Sequence, residues 1–356
     1  MRATIRQVAA HANVSPMTVS HVLNGRKSAM GAQTYERVLE AVRELNYVPV
    51  RTAAQNRHVE TNTLALVPYY RNPSRSIVDS ATFEGLCDSA SQHGYDLFIM
   101  LRGEAEWMAN REELRFLDRR SDGFIFISPG IGEWQTALQT LIEHKIPAVV
   151  CYRRDVPAGI PWVDPDNMGI IDMAVNHLVK QGHSRIVYMS GPSSAASDSE
   201  LLPNLSGIRA NYDNVARIGY FKERMQEMGH AEPEQFVQHI SSVDWKLTEE
   251  DIQRIFDMGV TGVICGDLFA LQLCDAIEAK GGTVPETLSI VSIDNGVEAA
   301  HRGLTGIGFG FDEVGRAAVQ AWIKFYGGAE AADCCKIVPA QLVERNSVGA
   351  PRATDR

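Results

Sequence analysis

Seven short apolar runs, "TLALVPYY", "GYDLFIML", "DGFIFISP", "IPAVVCYR", "RIVYMSGP", "GVICGD" and "LSIVSID", follow one another from Thr63 to Asp294. The stretches 81–93, 134–144, 169–181, 216–229, 249–258 and 269–280 between and after them carry helical periodicity. Several runs are apolar on consecutive residues, the pattern of strands covered on both faces. Such strands lie parallel, and the helical stretches supply the crossovers that parallel pairing requires. The greater part of this chain is thereby restricted to a parallel α/β architecture.

The residues ahead of these runs follow a different rule. Of the 356 residues 45% are apolar, enough for two or three domains. The formal charge is −10, yet residues 1–58 hold eight Lys or Arg against three Glu, a net +5 that leaves −15 on the remainder. A positive head on a negative body suits a head that meets a polyanion. Six cysteines lie at scattered spacings without C-x-x-C, and the ten histidines show no metal spacing, so no disulfide framework and no metal or cofactor site is expected. No apolar run is long enough to cross a bilayer and no signal segment opens the chain, which implies a soluble, cytoplasmic protein.

The head reads as three helices. Thr4 caps a first helix over about 5–12, with Ile5, Val8, Ala9 and Ala12 on one face. Asn13 suits a left-handed exit. Ser15 is an N-cap, Pro16 takes the first helical position, and Val14 and Val19 stand at the spacing of a hydrophobic staple. In this second helix Val19, Val22 and Leu23 share one side, while Met17, His21 and Asn24 lie nearly opposite, flanked by Thr18 and Ser20. A third run, "TYERVLEAVRELNY", completes the core through Val38, Leu39, Val42 and Leu45. Helix, tight turn, helix and supporting helix describe a helix-turn-helix domain, whose second helix enters the major groove.

"TIRQVAAHANVSPMTVSHVLNG" and "TYERVLEAVRELNYVP" resemble the head of the lactose-repressor (LacI/GalR) family of bacterial transcription regulators, without a gap from Thr4 to Pro49. The resemblance implies that Pro16, Met17 and His21 read base edges and that Thr18, Ser20 and Tyr47 hold phosphates. His21 can donate to guanine N7 or O6, Met17 can touch a thymine methyl, and Pro16 contributes shape. Where the family carries the hinge helix "ARSL" this chain reads Ala53, Ala54, Gln55, Asn56, followed by Arg57. With Asn56 at the position of the minor-groove wedge, weaker bending of DNA is expected.

The body resembles the family's effector domain through "VDPDN", "NHLVKQGHSRIVYMSGP", "ARIGYF", "GVICGDLFAL", "VPETLSIVSIDN" and "LVERNS". The implied fold is an N-terminal all-α helix-turn-helix domain (1–48), a hinge (49–60), and an α/β periplasmic-binding-protein-like effector domain of two parallel-sheet subdomains. These are placed at 61–163 with 295–323 and at 164–294 with 324–350, leaving a tail over 351–356. The resemblance places Arg217 and Asp294 in the effector cleft, where a guanidinium fork and a carboxylate clasp vicinal hydroxyls. Asp166, Asn167 and Asp267 are further candidates, each acid having a helix-cap or strand-end role as its alternative. Trp245 could cover a sugar face or simply pack. Tyr69 occupies a position that is acidic in the family, Gly266 replaces the asparagine of an "ND" pair, Tyr220 replaces a common glycine, and Ser74 replaces an aromatic.

These features imply a DNA-binding regulator, a repressor acting as a homodimer on a pseudo-palindromic operator under a small effector. The effector expected is a sugar or sugar acid, the latter favoured if Arg71 or Arg75 reaches the cleft; a purine or nucleoside is the alternative. A regulator whose pocket is degenerate and needs no ligand also fits. An enzyme finds little support: "GIGFG" (Gly306, Gly308, Gly310) lacks the third glycine of a dinucleotide fingerprint, and no nucleophile-elbow, zincin or P-loop motif is present. An exported binding protein of the same body fold would have a signal segment and no helical head.

Overall fold

The computed structural model describes residues 4–23, 30–45, 47, 60–68, 77–100, 116–117, 120–127, 134–191, 212–240 and 245–352. The chain divides into two compact units, Met1–Thr61 and Asn62–Arg356.

In the first unit the Thr4 hydroxyl accepts from the Gln7 N–H, while Gln7 Oε1 accepts from the Thr4 N–H at 2.8 Å. This reciprocal capping box starts α1 (Ile5–His11), and Asn13 ends it at φ +50°. Ser15 Oγ accepts from the Thr18 N–H at 3.1 Å to start α2 (Pro16–Leu23), and α3 spans Ala32–Glu44. Val8, Ala9, Ala12, Val19, Val22, Val38 and Ala41 form the buried core. Val14 packs against it with Leu39, Val42 and Leu45, as the staple and the third helix require.

Among its described residues the second unit holds two six-stranded sheets. One contains β1 (Thr63–Pro68), β2 (Asp96–Ile99), β3 (Gly123–Ile127), β4 (Ala148–Cys151), β5 (Trp162–Pro165) and β11 (Lys336–Val338), all parallel, in the order β11-β5-β4-β3-β1-β2. The other contains β6 (Ile186–Ser190), β7 (Val237–His239), β8 (Gly262–Gly266), β9 (Ser289–Ile293), β10 (Thr305–Phe309) and β12 (Ala340–Val343), in the order β12-β10-β9-β8-β6-β7. Only β12 runs antiparallel there. The helices are α4 (Ile77–Gln92), α5 (Trp134–Glu143), α6 (Asn167–Lys180), α7 (Tyr212–Glu227), α8 (Glu249–Asp257), α9 (Asp267–Ala279), α10 (Val297–His301), α11 (Phe311–Tyr326) and α12 (Ala331–Cys334).

The chain passes between the sheets three times: from β5 to α6, from β10 to α11, and from β11 to β12. This corrects the expected division of 295–323 and 324–350. Residues 297–309 belong to the second subdomain because β10 pairs with β9 and β12. Residues 311–338 belong to the first, because α11 lies against α4 and β11 pairs with β5. Periodicity marks a strand but not the sheet it joins; the long-range register decides that.

Helices α4 and α11 cross backbone to backbone. A Cβ on Gly315 would lie 2.1 Å from the Thr82 carbonyl oxygen, and one on Gly85 would lie 1.8 Å from that of Asp312. Neither neighbour is a flexible side-chain end, so the crossing tolerates only glycine unless the helices separate. Gly315→Ala should therefore destabilise the chain by about 1–3 kcal/mol or more, read as a lowered urea midpoint with an unchanged m-value.

Candidate functional site

On α2 the core-facing Val19 and Val22 turn the other side chains away from the head's interior. Met17 is 68% exposed, Pro16 is exposed, and Thr18, Ser20 and His21 are half-buried. A methionine held so far out of a core gains nothing from folding, and this face is uncharged and rich in donors. The Thr18 hydroxyl meets Ser15 Oγ at 2.9 Å. Tyr47 packs against the helical core, and its N–H bonds the Val42 carbonyl at 3.0 Å. The hinge positions Ala53, Asn56 and Arg57 lie outside the described residues, as do Asn24, Tyr69, Arg71, Ser74 and Arg75.

In the second unit the candidate cleft lies at the carboxyl ends of the parallel strands, where open α/β sheets bind ligands. Arg217, on α7, donates from Nε to Asn167 Oδ1 at 2.7 Å. Asn167, at the start of α6 and fully buried, donates from Nδ2 to Asp213 Oδ1 at 2.8 Å. One amide thus joins a guanidinium and a carboxyl that sit one turn apart on the same helix. The guanidinium also lies 5.8 Å from the centre of the Phe309 ring at the end of β10.

From the first subdomain, Asp164 at the end of β5 lies near enough to this cluster for the charge of Asp213 to act on it. Asp164 is fully buried; Arg154 donates from Nε to its Oδ2 at 2.6 Å and from Nη2 to the Pro165 carbonyl at 3.0 Å. Burial, then the charge of Asp213, pushes the Asp164 carboxyl up to about 7, against the pull of Arg154. Burial also raises Asp213, opposed by Arg217. Arg153 lies 5.2 Å over the Tyr212 ring and pairs with Asp155 through a 2.8 Å bond from Nε.

Asp294 follows β9 at φ +98°. Burial raises its carboxyl to about 6; Arg217 opposes the rise, and Asp267 and Asp213 add to it. Asp267 accepts from the Ser292 hydroxyl and the Gly296 N–H. It ties the start of α9 to the turn that presents Asp294. Asp166 caps α6, accepting from the Gly169 N–H at 3.0 Å. Both acids are thus engaged in local structure, the alternative role that the sequence left open.

Trp245 is neither buried nor free. It is 40% exposed at φ +58°, and one face stacks on Phe269, with ring centres 5.8 Å apart and planes 5° from parallel. Gln272 donates to its carbonyl at 3.0 Å. A Cβ on Gly191 would lie 2.7 Å from the indole edge. Among the described residues, a Cβ at Gly266 would find only Asp294 Oδ2 within 4 Å, at 3.9 Å. Tyr220 packs against the core. Gly306 and Gly308 of "GIGFG" make room for Asn295: a Cβ at either would come within 2.9 Å of its side chain.

Sequence reasoning missed Asp164, Asp213, Arg154 and Phe309. The one local signal was the acid one helical turn before Arg217. Among the described residues no three His, Cys, Asp or Glu side chains are placed to hold a metal, and no helix is long and apolar enough to cross a membrane.

Residues 4–50 match the bacterial regulatory proteins of the lacI family, residues 61–202 the periplasmic binding proteins and sugar binding domain of the LacI family, and residues 175–348 a periplasmic binding protein-like domain. The chain is 30% identical over 298 residues to the HTH-type transcriptional repressor PurR of Aliivibrio fischeri (strain MJ11), covering 82% of each protein. It is 26% identical to the repressor CytR of Escherichia coli (strain K12), over 98% of this chain and 97% of that one. Its fold is similar to that of the lac repressor dimer bound to operator and the anti-inducer ONPF, with a TM-score of 0.74 at 22% identity, covering 98% of this chain and all of that one. The chain belongs to the lacI family of bacterial regulatory proteins, DNA-binding transcription regulators rather than enzymes.

Proposed function

We propose that this chain is a repressor that binds a pseudo-palindromic operator as a homodimer and is controlled by a neutral, hydroxyl-rich small molecule in the cleft. The observation that carries the effector reading is the convergence of Arg217, Asn167, Asp213 and Asp294 at the strand ends. A guanidinium donates to sugar oxygens while carboxylates accept from sugar hydroxyls, so the set suits vicinal diols. The half-exposed Trp245 is suited to cover the apolar side of a ring. Three carboxyls already surround Arg217, so a further anion is disfavoured and the neutral sugar takes precedence over the sugar acid. A nucleoside is the second reading, favoured by the parallel Trp245–Phe269 pair, on which a flat base stacks as well as a sugar does.

At the head, His21, Met17 and Pro16 are assigned to base edges and Thr18, Ser20 and Tyr47 to phosphates. One recognition helix covers one half-site, so useful affinity requires two heads and hence a dimer.

Two experiments test these assignments. His21→Ala should lower affinity for the operator by about 1–3 kcal/mol more than for random DNA; equal losses on the two DNAs would make His21 a phosphate contact or a packing group. In a thermal-shift screen of the full chain against neutral sugars, sugar acids and nucleosides, a neutral sugar should stabilise by about 2.7 kcal/mol at a hundredfold excess over Kd. Arg217→Ala should abolish that shift and leave operator binding intact. A shift from nucleosides alone would replace the sugar with the second reading.

A further inference from the structure

We propose that Gln272 is the positioning residue of Trp245: its side-chain amide holds a left-handed backbone that sets the indole at the strand ends. The functional part of this inference rests on the reading of Trp245 as the cover for an effector ring. The positioning itself is carried by hydrogen bonds that involve no ligand.

Trp245 stands at φ +58°, in the region that bulky L-residues rarely adopt. Such a conformation persists where the surroundings over-determine it. Gln272, in the second turn of α9, supplies that determination. Its Nε2 donates to the Trp245 carbonyl at 3.0 Å, and its Oε1 accepts from the Leu247 N–H at 2.8 Å. The two bonds grip the backbone on both sides of Lys246. Nε2 also donates to the Leu268 carbonyl at 3.2 Å, one turn back on the same helix. The amide therefore has one orientation that satisfies every partner, with nitrogen toward two carbonyls and oxygen toward an N–H. A glutamate of the same shape lacks the donor, and a leucine lacks both functions.

The surroundings explain what this grip positions. Beyond Leu247 the chain is held independently: Leu247 packs against the apolar core of the second subdomain, and Thr248 forms a reciprocal cap with Asp251 at the start of α8. Gln272 extends that hold back to Trp245. The indole stacks on Phe269 in the first turn of α9, and its edge passes over Gly191, where a Cβ would come within 2.8 Å of both Cη2 and Cζ3. Gly191 follows β6, and its neighbour Ser190 accepts from Asn214 Nδ2 at 2.6 Å. Asn214 lies on α7 beside Asp213 and one turn before Arg217. The indole is thereby set at the carboxyl ends of β6 and β8, the side of the sheet where Arg217 and Asp294 gather. One helix serves both halves of the arrangement, because Asp267 of α9 holds the turn of Asp294 while Phe269 and Gln272 hold Trp245.

The test is tryptophan emission and acrylamide quenching of the full chain in wild type, Gln272→Leu and Gln272→Glu. Each is measured again with Trp245→Phe, so that the difference isolates Trp245 among the five tryptophans. Both Gln272 variants should shift the Trp245 emission to the red and raise its quenching, and neither should change the spectra of the Trp245→Phe chains. If Gln272 only supported the packing of α9, its loss would lower the urea midpoint and leave the Trp245 difference spectrum as in wild type. That result would overturn the proposal. Gln272→Glu keeps the shape of the side chain and provides the same readout if Gln272→Leu folds poorly. The neutral sugars and nucleosides of the thermal-shift screen separate the proposal from the reading beneath it. Those that bind wild type should bind Gln272→Leu about two- to tenfold more weakly, with no such loss when Gln272→Leu is added to Trp245→Phe. A shifted Trp245 spectrum with unaltered affinities would retain Gln272 as the positioning residue and overturn the ring-covering role of Trp245.

Discussion

A guanidinium taken out of water must be surrounded by acceptors, and in this protein one buried amide decides how that is done. Asn167 accepts from Arg217 and donates to Asp213, so its position at the start of α6 sets where the charge of α7 can lie. The neighbouring Asp166 fixes that start by capping the helix. Asp267 does the equivalent for the opposite side, holding the turn that carries Asp294, whose charge acts on the same guanidinium. The polar centre of the cleft is thus held by backbone-level devices at strand ends, where a parallel sheet leaves its helix starts together. Rigid support of this kind keeps a binding constellation in register.

The cleft also has two walls of different origin. Arg154 and Asp164 come from the first sheet, and Asn167, Asp213, Arg217 and Asp294 from the second subdomain. Because the chain passes between subdomains three times, a change in how the walls meet is carried by β5, β10 and β11 together. The backbone contact between α4 and α11 makes the first subdomain stiff at the point where the second crossing enters it. Differential binding to two arrangements of these walls is what a small molecule needs in order to regulate anything.

Legibility in the sequence followed the range of the interactions. Thr4, Asn13, Ser15 and Pro16 act on neighbours a few residues away, and the head's helices could be read from them. Gln7 was passed over although its side chain completes the first cap. In the body the seven apolar runs are strands, but β5, β7, β10, β11 and β12 are short, polar or glycine-rich and carry little pattern. The second and third crossings were misplaced because register between distant strands leaves no local trace. Arg217 and Asp294 were visible as motif residues. The role of Asp213 was not, because its partner Asn167 is remote in sequence and approaches from another element. Trp245 packs on Phe269 and yet stays 40% exposed, so its sequence context alone does not separate packing from binding.

If the proposed effector site is the regulatory one, occupancy of the Asn167-linked cluster changes DNA binding. Fluorescence anisotropy on a selected operator, with and without a compound that stabilises the full chain, measures this directly in wild type and in Asn167→Ala. The compound should change wild-type operator affinity by about tenfold or more, a coupling of about 1–3 kcal/mol, and leave the affinity of the variant unchanged. A variant that responds as the wild type does, or a wild type whose operator affinity ignores a saturating stabiliser, would contradict it.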